Sequence, residues 1–294
     1  MPRLLSIGEC MIELAPTEEE TFSMGFAGDT FNTAWYARRL ASADTQVAYL
    51  SAIGDDEPSD RMRAFMEDAG IVPELAARAR RSVGLYMISL KDGERSFSYW
   101  RSASAAPTLA DDLERLPCKP GDIAFFSGIT MAILDDTARK RFLSVLAEAR
   151  TTGVQIAFDP NLRPRLWPDT ATMCDWIMQA AHVADIALPS FEDEQGYFTD
   201  ANIRATADRY ASAGATTVVV KDGPGPVLLR HDGTEATVPP SPVAKVVDTT
   251  AAGDSFNAGF LVGLMEGLSA DDAVRQGCEL ARKVIGARGA LVKL

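Results

Sequence analysis

The chain is 294 residues long, 47% hydrophobic and 24% charged, which suffices for a large buried core in one domain with an appendage or in two small domains. Its formal charge of −12 argues against a surface for nucleic acid or anionic membrane, but leaves room for an anionic ligand in a locally positive pocket. The four scattered cysteines (Cys10, Cys118, Cys174, Cys278) read as reduced thiols, and two histidines are too few for a His-rich metal centre.

No apolar stretch approaches the ~20 residues of a membrane span. Acids arrive too early in Met1-Pro2-Arg3-Leu4-Leu5-Ser6-Ile7-Gly8-Glu9 for a signal peptide. This start reads as a first strand of a cytoplasmic protein. Strands are expected at 4–8, 47–52, 122–127, 154–159, 185–189, 217–221 and 227–230. Helical patterns fall at 30–43, 59–69, 135–151, 170–181, 202–213, 253–267 and 270–287. Their alternation predicts an α/β fold with a mainly parallel sheet covered by helices, and ligands beyond the carboxyl ends of its strands.

The stretch 83–101 breaks the rhythm. Lys91-Asp92-Gly93-Glu94 signals a two-residue hairpin. Lys91 then faces Glu94, Ile88 faces Phe97 and Tyr86 faces Tyr99, so that Tyr86, Tyr99, Arg101 and Phe97 share a face. Such a hairpin by itself reads first as a surface hairpin with an aromatic ladder, and it also suits a lid over a small anion. Residues 12–24 can supply further strands to it.

Four motifs carry chemistry. In Phe26-Ala27-Gly28-Asp29-Thr30-Phe31-Asn32, Gly28 permits close approach, Asp29 or Thr30 can cap a helix, and Asn32 offers both donor and acceptor. Arg163 and Arg165 follow a strand in Asn161-Leu162-Arg163-Pro164-Arg165-Leu166-Trp167, suited to carboxylate or phosphate or simply to solvent. Lys221-Asp222-Gly223-Pro224-Gly225 ends another strand in a turn against which a nucleotide can lie, or in a plain hairpin. Finally, Asp248-Thr249-Thr250-Ala251-Ala252-Gly253-Asp254-Ser255-Phe256-Asn257 sets free amides and a carboxylate at a helix start. That is the pairing phosphoryl transfer requires, though Asp254 also suits a helix cap. Neither a Walker loop nor a dinucleotide fingerprint is present.

Together these motifs resemble the PfkB (ribokinase-like) carbohydrate kinases over nearly the whole chain, with Ala251 where a glycine is usual. The segments Gly8-Glu9-Cys10-Met11-Ile12-Glu13, Tyr99-Trp100-Arg101 and Arg163-Pro164-Arg165-Leu166-Trp167 are similar to the branch acting on 2-keto-3-deoxygluconate. The resemblance implies a ribokinase-like three-layer α/β/α core spanning 1–294, with a small β lid from about 12–24 and 82–104 through which homo-oligomers often form. It implies ATP and Mg²⁺, and transfer to the terminal C6 hydroxyl of the sugar acid. Gly28, Asp29, Thr30 and Asn32 would hold sugar hydroxyls, and Tyr86, Tyr99, Arg101 and Arg163 the keto-acid end. Asn161, Lys221, Gly223 and Gly225 would lie along ATP. Ala251, Ala252 and Gly253 would supply anion-hole amides, and Asp254 the base. Asp193 in Ser190-Phe191-Glu192-Asp193 is the counterpart of an acidic residue linked indirectly to Mg²⁺. Pro226 stands where the nucleotide turn usually has its second glycine. A neutral-sugar kinase of the fructokinase or ribokinase type, or a sugar-binding protein without turnover, are the competing readings.

Overall fold

Leu4 and Leu5 are both fully buried, yet they join hydrophobic clusters on opposite sides of one sheet. Side chains alternate along a strand, so an unbroken apolar run needs cover on both faces. The structure is a computed structural model and describes residues 1–17, 21–91, 94–240, 242–243 and 245–294. In chain order its elements are β1 (Arg3–Ile7), β2 (Met11–Pro16), β3 (Phe22–Ala27), α1 (Asp29–Leu40), β4 (Gln46–Ile53), α2 (Glu57–Asp68) and β5 (Val72–Ala77). There follow β6 (Gly84–Lys91), β7 (Glu94–Trp100), β8 (Ile123–Ser127), α3 (Gly128–Ile133), α4 (Asp136–Thr151), β9 (Gln155–Asp159), α5 (Thr170–Val183), β10 (Ile186–Ala187) and α6 (Phe191–Phe198). The chain ends with α7 (Ile203–Ala213), β11 (Thr217–Val220), β12 (Val227–His231), β13 (Thr234–Val238), α8 (Ala252–Met265) and α9 (Ala270–Val284).

The main sheet has the order β13-β12-β11-β10-β9-β8-β1-β4-β5. From β11 to β5 neighbours run parallel, and β12 and β13 close one edge antiparallel. Phe125 and Val219 point to the layer built by α1, α2, α8 and α9, while Phe126 and Val218 point to that of α3, α4, α5 and α7. This is the expected three-layer arrangement.

A second sheet, β3-β2-β6-β7, stands off the first. Its β6–β7 register pairs Tyr86 with Tyr99, Ile88 with Phe97 and Lys91 with Glu94, as the hairpin spacing predicts. The expected Asp92-Gly93 turn lies outside the described residues, as does 18–20 between β2 and β3. Rings of Tyr86, Phe97 and Tyr99 form an aromatic cluster at 5.9–6.3 Å, with Phe97 and Tyr99 stacked and Tyr86 tilted against both.

Four elements were not legible. The edge strand β5 carries Pro73, which is tolerated only where an N–H need not pair. The six-residue α3 is apolar apart from Thr130 and follows β8 without a break, its start marked only by the Ser127–Thr130 capping box. Both β13 and α6 are short and weakly patterned. The strand expected over 185–189 shrinks to β10, because Asp185 turns its carboxylate onto the Ile156 amide at 2.9 Å and onto Arg150 at 2.7 Å.

Candidate active site

The site is assembled where three elements end or begin beside one another. Asp159 closes β9 and Lys221 follows β11, both at carboxyl ends of parallel strands, and the first turn of α8 lies over them. Lys221 Nζ donates to Asp159 Oδ2 at 2.8 Å and to Asn257 Oδ1 at 3.1 Å. Asn257 Nδ2 returns to Asp159 Oδ2 at 2.6 Å. All three are nearly inaccessible, so the buried carboxylate is neutralised by one cation and satisfied by two further donors, counting the Asn161 amide at 3.0 Å. Gly253 sits over this cluster, its Cβ position 3.7 Å from Lys221 Nζ. Asp159 and Asn257 were given no role from sequence. A carboxylate closing an apolar strand before Pro160, and an amide three residues after Asp254 on the same face of an apolar helix, were the available signals.

The starts of α1 and α8 meet. Asn32 Nδ2 donates to Asp254 Oδ2 at 2.8 Å, its Oδ1 accepts from the Gly28 amide at 3.3 Å, and Thr33 Oγ1 donates to the Asp254 carbonyl at 3.2 Å. With its carboxamide fixed at both ends, Asn32 orients the Asp254 carboxylate. Neither helix is capped as expected. Gly28 and Ala251 occupy the cap positions without side-chain caps, so Asp29 and Asp254 lie inside the first turns instead. Their side chains are thereby free for other partners, and Asp29 accepts from Asn161 Nδ2 at 2.8 Å. Asn161 thus touches the Asp29 side of the cleft, a contact its expected place along ATP did not anticipate. Thr30 is a correction: it is fully buried with its hydroxyl 3.0 Å from that of Tyr49, so it packs the helix start and presents nothing to a ligand.

Burial pushes the Asp254 carboxyl up to about 8, with the negative charges of Asp29 and Asp159 adding to the rise, and Asn32 and Lys221 opposing it. As a residue Asp254 keeps partial exposure. Ala251 adopts φ 60°, the left-handed region where a glycine is unstrained. The turn it makes leaves an uneven set of amides. Ala252 N–H donates to the Thr249 carbonyl at 3.2 Å, which corrects its expected place among the free donors. Among the described residues, the amides of Ala251, Gly253 and Asp254 have no protein acceptor, and they stand at the positive end of the α8 dipole. Asp248 supports the turn by accepting from the Thr250 amide at 3.1 Å and the Gly289 amide at 2.8 Å.

On the lid side, Tyr86 is buried and donates to Glu13, while Tyr99 is 53% exposed. Arg101 forms an ion pair with the buried Glu9. Arg163 is half exposed, 3.7 Å from Asp193, whose carboxyl burial pushes up and Arg163 pulls down. Gly223 takes φ 51° in the turn after Lys221, and the Gly225 amide closes it onto the Asp222 carbonyl at 2.6 Å. A separate hollow lined by Thr216, Arg230 and Glu235 lies at the amino ends of the strands, away from this cluster, and its Arg230 is already paired with Asp208 and Glu235.

A sequence profile described as pfkB family carbohydrate kinase matches residues 1–293. The chain belongs to that family. The kinase is 36% identical over 303 residues to the 2-dehydro-3-deoxygluconokinase of Haemophilus influenzae, covering 99% of this chain and 96% of that protein. It is 37% identical over 300 residues to the Escherichia coli protein of the same name, covering 99% and 97%. Its fold matches the aminoimidazole riboside kinase of Salmonella enterica, crystallised with aminoimidazole riboside and an ATP analogue, with a TM-score of 0.86 at 22% identity over 99% and 96% of the two chains. No helix of the kinase, among the described residues, is long and apolar enough to cross a membrane.

Proposed function

We propose that the kinase transfers the γ-phosphoryl group of ATP to the C6 hydroxyl of 2-keto-3-deoxy-D-gluconate, giving 2-keto-3-deoxy-6-phosphogluconate and ADP. One observation carries this reading: Asp254, held by Asn32 beside unpaired amides, occurs in a chain over a third identical, end to end, to proteins named for that reaction. Asp254 accepts the proton of the C6 hydroxyl as its oxygen attacks phosphorus. The amides of Gly253 and Asp254 and the α8 dipole stabilise the charge spreading over the transferred group. Lys221 holds a positive charge at the floor of the phosphate site, and the turn bearing Gly223 and Gly225 flanks the nucleotide. Gly28, Asp29 and Asn32 meet the sugar hydroxyls.

The keto-acid end lies toward Tyr86, Tyr99, Arg101 and Arg163. Two guanidinium groups there favour an anionic substrate over fructose or ribose. Among the described residues no group of three His, Cys, Asp or Glu side chains is placed to hold a metal. Mg²⁺ would be carried by the nucleotide phosphates, with Asp193 influencing it indirectly, without coordinating it. When bound, Mg²⁺ neutralises phosphate charge. The exposed Phe22, Met24 and Trp100 of the lid offer an apolar surface suited to self-association, and four unpaired cysteines suit the reducing cytoplasm. A coupled ADP-release assay across gluconate- and galactonate-derived 2-keto-3-deoxy acids, fructose and ribose tests the substrate. Turnover of a neutral sugar above the keto acids would refute the assignment, and ligand binding with no ADP release would refute catalysis altogether.

A further inference from the structure

All four connections between main sheet and lid pass one residue that the reaction does not use. Glu9 lies between β1 and β2, and its carbonyl oxygen presses against Gly28, between β3 and α1, where a Cβ would collide. Its Oε1 would stand 2.8 Å from a Cβ on Gly84, at the start of β6, and it accepts from Ser104 Oγ at 2.6 Å. Its Oε2 pairs with Arg101, directly after β7. The carboxylate is 1% exposed.

A buried ion pair contributes little net stability compared with an apolar pair of the same size. Its value lies in where it holds the charge. Arg101 Nη2 is buried and pairs with Glu9 without an aligned hydrogen bond to any described residue. A guanidinium has five N–H donors, so this one is anchored by charge with donor capacity to spare. An unanchored arginine would have to surrender rotamer freedom on binding, whereas this one is already oriented.

We infer that Glu9 is a positioning residue that holds Arg101 at the lid hinge to receive the substrate carboxylate, so that preference for an acid sugar is set by a side chain that never touches it. The inference rests on the keto-acid reading above. Glu9→Gln keeps the size and an acceptor for Ser104 but removes the charge that anchors Arg101. In the purified full-length kinase, KM for 2-keto-3-deoxygluconate should rise about 10- to 100-fold, as one charged hydrogen bond from Arg101 to the substrate carboxylate is lost, with KM for ATP unchanged. Combined with Arg101→Ala, it should add nothing to the effect of Arg101→Ala alone. Additive effects, or an equal rise in KM for ATP, would assign Glu9 to general stability and overturn the inference. Should Glu9→Gln fail to fold, Ser104→Ala removes the other hold on the same carboxylate. It should raise KM for the acid selectively, and an unchanged KM overturns the inference. Wild-type turnover of fructose but not of the acid would overturn the substrate reading and this inference together. Wild-type turnover of the acid with an indifferent Glu9→Gln overturns the inference alone.

Discussion

Replacing the proposed base should make the ligand-free protein more stable, and increasingly so as pH rises. The Asp254 carboxyl is held up to about 8 against an ordinary 3.8. Below about pH 4 both folded and unfolded chains carry its proton, and the raised value costs nothing. As pH climbs, the unfolded chain ionises while the folded one does not, so stability is lost progressively until the folded group ionises near pH 8. At about 1.4 kcal/mol per pH unit the full penalty reaches about 6 kcal/mol. Asp254 is partly exposed, so solvent screening makes about 2–3 kcal/mol the working expectation. Asp254→Asn retains an oxygen for Asn32 and has no proton to lose. Its melting temperature should match wild type at or below about pH 4 and exceed it by about 5 °C at pH 9. Over the same range kcat should fall about 10²–10⁴-fold. Thermal unfolding of both proteins at half-unit pH steps, without nucleotide or sugar, measures this. A difference that stays flat with pH, or a less stable variant at pH 9, would refute the argument that burial and neighbouring acids load this carboxyl.

Because Asp29 is the second cause of that rise, Asp29→Asn should move the acid limb of the kcat/KM profile to lower pH while weakening sugar binding; an unmoved limb would remove Asp29 from the account. Ala251→Gly relieves the left-handed backbone strain, and should gain about 1 kcal/mol with activity retained; a loss of stability would mean the strain is absent. Lys221→Met leaves Asp159 buried without its cation and should destabilise by about 3–5 kcal/mol, which chemical denaturation would detect, along with a raised KM for ATP.

Local sequence determined much of this molecule. Apolar runs short enough for strands, alternating with helical spacings, are enough to require a parallel sheet between helices, since each strand must be covered twice. The spacing about Asp92-Gly93 was enough to pair Tyr86 with Tyr99, because turn length sets hairpin register. What local pattern could not decide was partnership across long stretches of chain. Asp254 looked like a helix cap, yet its partner Asn32 is 222 residues away. Thr30 looked available to a ligand, but Tyr49 consumes its hydroxyl. Arg101 looked like a free cation until Glu9, 92 positions earlier, came to rest against it. A residue's type sets which bonds it can make. Which of them it makes depends on what the folded chain brings within about 3 Å, and on whether water is left to compete.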